Sequence, residues 1–163
     1  MTETLASPYQ LPAGEGCQLD TWFFGSVMRM LATGAHTGGA FALMEQHCRP
    51  GFENPLHVHH AEDEAFFVLE GTLELFVGES RLVAGPGSYV WGPREVPHGF
   101  RVHGDDPCRL LLRATPSGVD AFVAALGVPA AGPGLPPPGP PPMDALLAAA
   151  DRHRIEILGP LPD

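Results

Sequence analysis

The chain has no lysine: all nine of its basic residues are arginine. Chemistry that builds an imine on a lysine amine is thereby excluded, as is a phosphate-cradling loop that closes on a lysine. Positive charge is scarce altogether. Nine arginines stand against 19 acidic residues in 163, a formal net charge of −10, so neither nucleic acid nor anionic membrane is an expected partner. Cysteine is sparse and odd in number, at Cys17, Cys48 and Cys108. That count and spacing give no disulfide framework and no zinc knuckle, and the three read as reduced thiols of a cytoplasmic protein. No apolar run approaches the ~20 residues that cross a bilayer. The opening MTETLASPYQ has no basic stretch leading into an apolar one, so no signal peptide is expected.

What is abundant is punctuation. The 20 glycines and 19 prolines make up about a quarter of the residues, which favours short strands and many turns. Residues 1–20, with Pro8, Pro12, Gly14 and Gly16, read as an arm that gains order by lying on something else. Residues 21–32 read as one or two strands and 33–39 as a glycine-rich loop. Residues 40–48 alternate as a strand with both faces partly covered. Residues 64–78 read as two strands joined in a tight hairpin at Glu70-Gly71-Thr72. Further short strands up to residue 114 suggest a barrel or sandwich. Ser117 is placed to cap a helix over 118–126 that Gly127 ends. Eight prolines between 129 and 142 make a stiff connector of polyproline character. A helix gripping through Leu146 and Leu147 follows, then an extended tail. The chain thus divides into an arm (1–20), a barrel with its following helix (21–127), a Pro-rich connector (128–142) and a C-terminal helix and tail (143–163). No internal repeat is visible, so one barrel is expected.

The stretch GFENPLHVHHAEDEAFFVLEG, residues 51–71, carries the chemistry. Alternate side chains of a strand share a face, so His57 and His59 project together. Glu64 adds a carboxylate from the neighbouring run, and His98 a third imidazole from a later one. Three imidazoles and a carboxylate suit a divalent transition metal: nickel, manganese, iron, cobalt, copper or zinc.

The spacing G-x5-H-x-H-x4-E-x6-G, from Gly51 through His57, His59 and Glu64 to Gly71, resembles the first motif of the cupin superfamily at every fixed position. The second motif, G-x5-P-x-G-x2-H-x3-N, is matched by Gly87, Pro93 and His98. It is not matched by Glu95 and Val102, which stand where glycine and asparagine would be. The resemblance covers about residues 40–115 and implies an all-β, antiparallel jelly-roll barrel with short C-terminal helices. It is strongest to one-domain bacterial quercetinase-type cupins. These imply a metal-dependent dioxygenase that takes a flavonol or similar enolisable phenol together with O2. In that case Glu64 is both ligand and base; otherwise it is a ligand alone. A non-redox cyclase or isomerase, and a binding cupin without turnover, are the alternative readings.

The remaining candidates follow from parity. Phe66 shares the parity of Glu64 and Phe100 that of His98, so these two are expected to line a substrate pocket. Phe67, Phe76, Trp91 and Met44 add apolar bulk near the ligands. His60 points away from the site. His47 has no assigned face, Glu62 and Asp63 form a solvated acidic rim, and Cys48 and Cys108 are small buried hydrophobes. The long arm and the detached C-terminal segment suggest a homodimer.

Overall fold

The computed structural model describes residues 7–137, 139 and 142–163. The first six residues of the expected arm, and Pro138, Pro140 and Pro141 of the connector, lie outside the described residues. The strands are β1 (Thr21–Phe23), β2 (Ser26–Ala32), β3 (Ala42–Cys48), β4 (Leu56–His59), β5 (Asp63–Glu70), β6 (Leu73–Val77), β7 (Ser80–Ala84), β8 (Tyr89–Gly92), β9 (His98–Val102), β10 (Cys108–Thr115), β11 (Val128–Pro129) and β12 (Ile155–Gly159). Three helices accompany them: α1 (Gly34–Thr37), a single turn inside the expected loop, α2 (Val119–Leu126) and α3 (Met143–Arg152). The strands form two antiparallel sheets, ordered β11-β1-β2-β3-β10-β5-β8 and β12-β4-β9-β6-β7. This is the double-sheet jelly-roll plan.

Alternation decides what each strand buries. In β3, Ala42, Met44, Gln46 and Cys48 turn inward, and in β10, paired with it, Cys108, Leu110, Leu112 and Ala114 do the same. Met30, Met44, Val68, Leu73, Leu75, Phe100 and Leu110 are at most 1 % exposed. Each such side chain contributes about 1.5–3 kcal/mol of transfer free energy. Cys48 and Cys108 face each other across these strands as free, buried thiols. Burial pushes the Cys108 thiol up to about 11, so it has little nucleophilic character.

Residues 70–72 are not a hairpin. β5 pairs with β8 and β10 in the larger sheet, β6 with β7 and β9 in the smaller. The chain therefore crosses between sheets at Gly71-Thr72. Gly71 has a φ of +74°, and a side chain there would run into the Pro107 carbonyl. A glycine between two alternating runs reads the same whether the runs pair with each other or with distant strands. The two-residue hairpin comes one strand later, where Val77 faces Ser80.

The C-terminal tail is likewise more than a tail. It is the edge strand β12, with Ile155 opposite His59 and Ile157 opposite His57. α3 lays Leu146, Ala149 and Ala150 against Phe122 of α2 and Ile155. The segment is covered by its own barrel, which removes one motive for expecting a second copy. Leu147, expected to share the grip, is half exposed. Gly118 rather than Ser117 caps α2. Ser117 packs on Gly34, while Asp120 accepts the Gly118 amide at 2.9 Å and the Gly34 amide at 2.8 Å. β11 pairs with β1, and the Trp22 indole donates to the Gly134 carbonyl at 3.1 Å, so part of the connector lies against the larger sheet.

Because Ile155 joins α2, α3 and the ligand strand, Ile155→Ala is expected to cost about 2–4 kcal/mol. A urea titration should show a lower midpoint with an unchanged slope. An unchanged midpoint would mean that β12 does not hold the C-terminal segment down.

Candidate metal centre

Three strands assemble the site. His57 and His59 lie two apart on β4 and so face the same way. His98 opens β9 directly opposite His57, and Glu64 comes from β5 in the other sheet, opposite Gly92. One donor atom from each of the four lies within 4.8 Å of all the others, and all four residues are buried. The imidazole rings of His57 and His98 have centroids 4.6 Å apart, those of His59 and His98 5.4 Å.

The ring nitrogens sort themselves. His57 Nδ1 lies 2.7 Å from the Pro55 carbonyl and His98 Nδ1 3.0 Å from that of Val96. A carbonyl only accepts, so both Nδ1 atoms carry a hydrogen, which leaves both Nε2 atoms as the ones that ligate once unprotonated. His98 Nε2 then stands 2.8 Å from Glu64 Oε2, and His59 Nε2 3.5 Å from the same oxygen. In the absence of metal a proton on Nε2 satisfies the shorter contact as a hydrogen bond to the carboxylate, and a metal cation would take that proton's place between the same groups. The donor set therefore fits a divalent metal held by His57, His59, Glu64 and His98.

The electrostatics agree. Burial, then the neighbouring imidazoles of His98 and His59, lower His57 to about 3, so it is neutral and ready to ligate at neutral pH. Burial also works against a charged His59, but the carboxylates of Glu64 and Glu62 outweigh it and raise that imidazole. Burial alone would raise Glu64; His59, His98 and His57 outweigh it and hold the carboxyl down at about 2.

His57, His59 and Glu64 open on a cavity of about 470 Å³, within the usual range of about 300–1,000 Å³ for small-molecule sites. Phe23, Phe24, Phe52, Phe100 and Phe122 wall it, with Met143, Leu146 and Ile155 from the C-terminal segment. Phe100 is thus on the wall, where parity put it. Phe66 is not: it is buried edge-on behind His98 and Phe100, with ring centroids 6.1 and 6.0 Å away. Trp91 and Phe67 are exposed on the outer face, opposite in parity to Glu64. Phe76 is buried beneath the guanidinium groups of Arg81 and Arg101. Met44 belongs to the core. His60 does point away, held between Glu95 at 2.8 Å and Glu156 at 3.2 Å. His47 lies on the outward side of β3 beside Glu45.

Glu62 is the main correction. It is no part of a solvated rim but 5 % exposed, 3.5 Å from His59 Nδ1. Asp63 alone faces outward, paired with Arg94. The parity that turns Glu64 inward also turns Glu62 inward, two residues earlier, and that signal was available. Gln46 was missed too: its side chain is buried on the cavity wall, and its amide donates to the Ser26 hydroxyl at 3.0 Å.

A cupin-domain family model matches residues 44–112. Those residues form a cupin domain. Over 96 residues the chain is 35% identical to quercetin 2,3-dioxygenase of Bacillus subtilis (strain 168), a match covering 58% of this chain and only 28% of that protein. The cupin fold here superposes on an RmlC-like cupin from Shewanella frigidimarina with a TM-score of 0.58 at 18% identity, covering 72% of this chain and 99% of that one. A cupin-superfamily sugar phosphate isomerase from Silicibacter pomeroyi gives a TM-score of 0.50 at 26% identity, covering 58% of this chain and 61% of that one. Among the described residues no helix is long and apolar enough to cross a membrane.

Metal bound at this cupin centre should stabilise the fold by mass action, by about 2.7 kcal/mol at 100 times the dissociation constant. For a chain of this size that is roughly 5–10 °C in melting temperature. Calorimetry before and after chelation checks it; an unchanged curve after verified removal of metal would contradict it.

Proposed function

We propose that this cupin is a metal-dependent dioxygenase that acts on a flavonol or related enolisable phenol. The observation that carries the reading is a buried cluster of one carboxylate and three imidazoles, of which Glu64, His57 and His59 open on a largely apolar, aromatic-walled cavity. The 35% identity to quercetin 2,3-dioxygenase supports it over the matched 96 residues.

A redox-capable divalent metal held by His57, His59, Glu64 and His98 would supply Lewis acidity and a route for electrons between substrate and O2. The chain's own residues do the rest. The phenylalanine rings offer flat faces to a planar aromatic ligand, for which edge-on and offset contacts are favourable. Glu64 is ionised and placed to take the proton of a substrate hydroxyl. Gln46, oriented by Ser26, is a buried polar group on a largely apolar wall. A flat ligand seated against this wall would displace water from it, which strengthens charge interactions inside. Among the described residues no arginine lines the cavity, which disfavours a phosphorylated sugar as ligand.

Oxygen uptake by metal-replete protein given quercetin tests the reading, with uptake expected in proportion to bound metal. Product formed without oxygen would replace it with a non-redox isomerase or cyclase, and binding without turnover with a carrier or sensor. We also propose a homodimer, now resting on the arm alone; light scattering showing a monomer at micromolar concentration would refute it.

A further inference from the structure

Two buried polar atoms face each other behind the metal centre, each without a partner. His59 Nδ1 and Glu62 Oε2 are sealed from solvent and make no hydrogen bond, yet they stand only 3.5 Å apart. Buried polar atoms are nearly always paired, because leaving one unpaired is costly. The other two imidazoles are backed by neutral carbonyls, those of Pro55 and Val96. His59 is backed by a carboxylate. With its Nε2 turned toward Glu64, its Nδ1 carries the hydrogen once Nε2 ligates, and Glu62 Oε2 is the acceptor facing it.

Resting on the metal-centre reading above, we propose that Glu62 is a positioning residue: its carboxylate accepts the His59 Nδ1 hydrogen and fixes that imidazole for ligation through Nε2. A carboxylate behind a ligating histidine sets the tautomer and the ring orientation and makes the nitrogen a stronger donor. The surroundings keep Glu62 in place. A side chain at position 118 would collide with the Glu62 carboxylate and push it aside. Gly118 is the cap of α2, whose Val119, Phe122 and Val123 wall the cavity. One carboxylate thus meets both the ligand imidazole and the start of the helix over the substrate.

The test uses zinc, measured by chelator competition on wild type and Glu62→Gln, with melting curves of both metal-free proteins and imidazole proton NMR of both zinc forms. Glu62→Gln keeps the shape but offers a weaker, uncharged acceptor. It is expected to weaken zinc binding about 10–100-fold, leave metal-free melting unchanged, and shift the His59 Nδ1 proton while those of His57 and His98 stay. Gly118→Ala, which leaves Glu62 in the chain but displaces its carboxylate, should produce the same selective shift. A Glu62→Gln affinity within about twofold of a zinc-binding wild type would overturn the proposal and leave the metal centre standing. Three imidazole resonances moving together, with lower metal-free melting, would also overturn it, as a general packing effect. A wild type that does not bind zinc would overturn the metal-centre reading and this inference with it.

Discussion

Glu64→Gln, loaded with metal to wild-type occupancy, is expected to turn over the proposed phenolic substrate about 10²–10⁴-fold more slowly, the range for losing a general base. Glutamine keeps an oxygen that can ligate and nearly the same volume, but has neither the charge nor the basicity. The position is demanding, because Glu64 is 4 % exposed and held down at about 2 by three imidazoles that outweigh its burial. A carboxylate that ligates a metal cation is a weak base on its own account. Proton transfer to it therefore requires a substrate hydroxyl that is itself acidic, which an enolisable phenol provides and a sugar hydroxyl does not. The quantity to measure is activity per bound metal, since a variant that has lost its ion says nothing about the base. Near-normal turnover at full occupancy would leave Glu64 a ligand alone, and the proton would then have to leave through a bound water or by the substrate's own acidity.

The parts of this molecule that were legible in the sequence are those governed by local rules. Period-two alternation placed β3 and oriented His57 against His60, and turn residues marked most strand ends. What was not legible depends on pairing between distant segments. The crossing at Gly71 looked like a hairpin because a glycine between two alternating runs is the same local signal in either case. The strand β12 looked like a loose tail because five residues carry little periodicity, and only β4, nearly a hundred residues earlier in the chain, gives it a partner. Phe66 has the parity of Glu64 and does point inward, yet the barrel interior is divided between a packed core and a cavity, and parity does not say on which side of that division a residue falls. Glu62 shows the opposite failure. Its parity was informative, and acidic neighbours at 62–64 drew it into a reading as surface charge. The buried pair of Glu62 and His59 shows that one member of an acidic run can be interior while the next, Asp63, faces Arg94 outside.

His98→Ala is expected to weaken metal binding by more than the ~10–100-fold typical of losing an outer-shell partner, because it would remove a candidate ligand atom and more. His98 is the most deeply buried of the four, at 1 % exposure. It bridges the site physically: its Nδ1 is anchored on Val96 and its Nε2 stands 2.8 Å from Glu64, while its ring packs on His57 and, edge-on, on Phe66. Alanine would therefore leave a hollow between the two sheets and take away one of the groups that hold Glu64 ionised. A carboxylate left buried with fewer partners is costly, so the metal-free variant should also melt lower than metal-free wild type. His60→Ala is the matched control. It removes an imidazole from the adjoining stretch, but one that lies on the outside between Glu95 and Glu156, and its metal content should equal that of wild type. Metal content by elemental analysis and affinity by chelator competition, run on both variants, separate the two positions. Full occupancy at wild-type affinity in His98→Ala would show that the ion is held by some other set of groups, whereas loss of metal in His60→Ala would show that the outer face of β4 matters as much as the inner one.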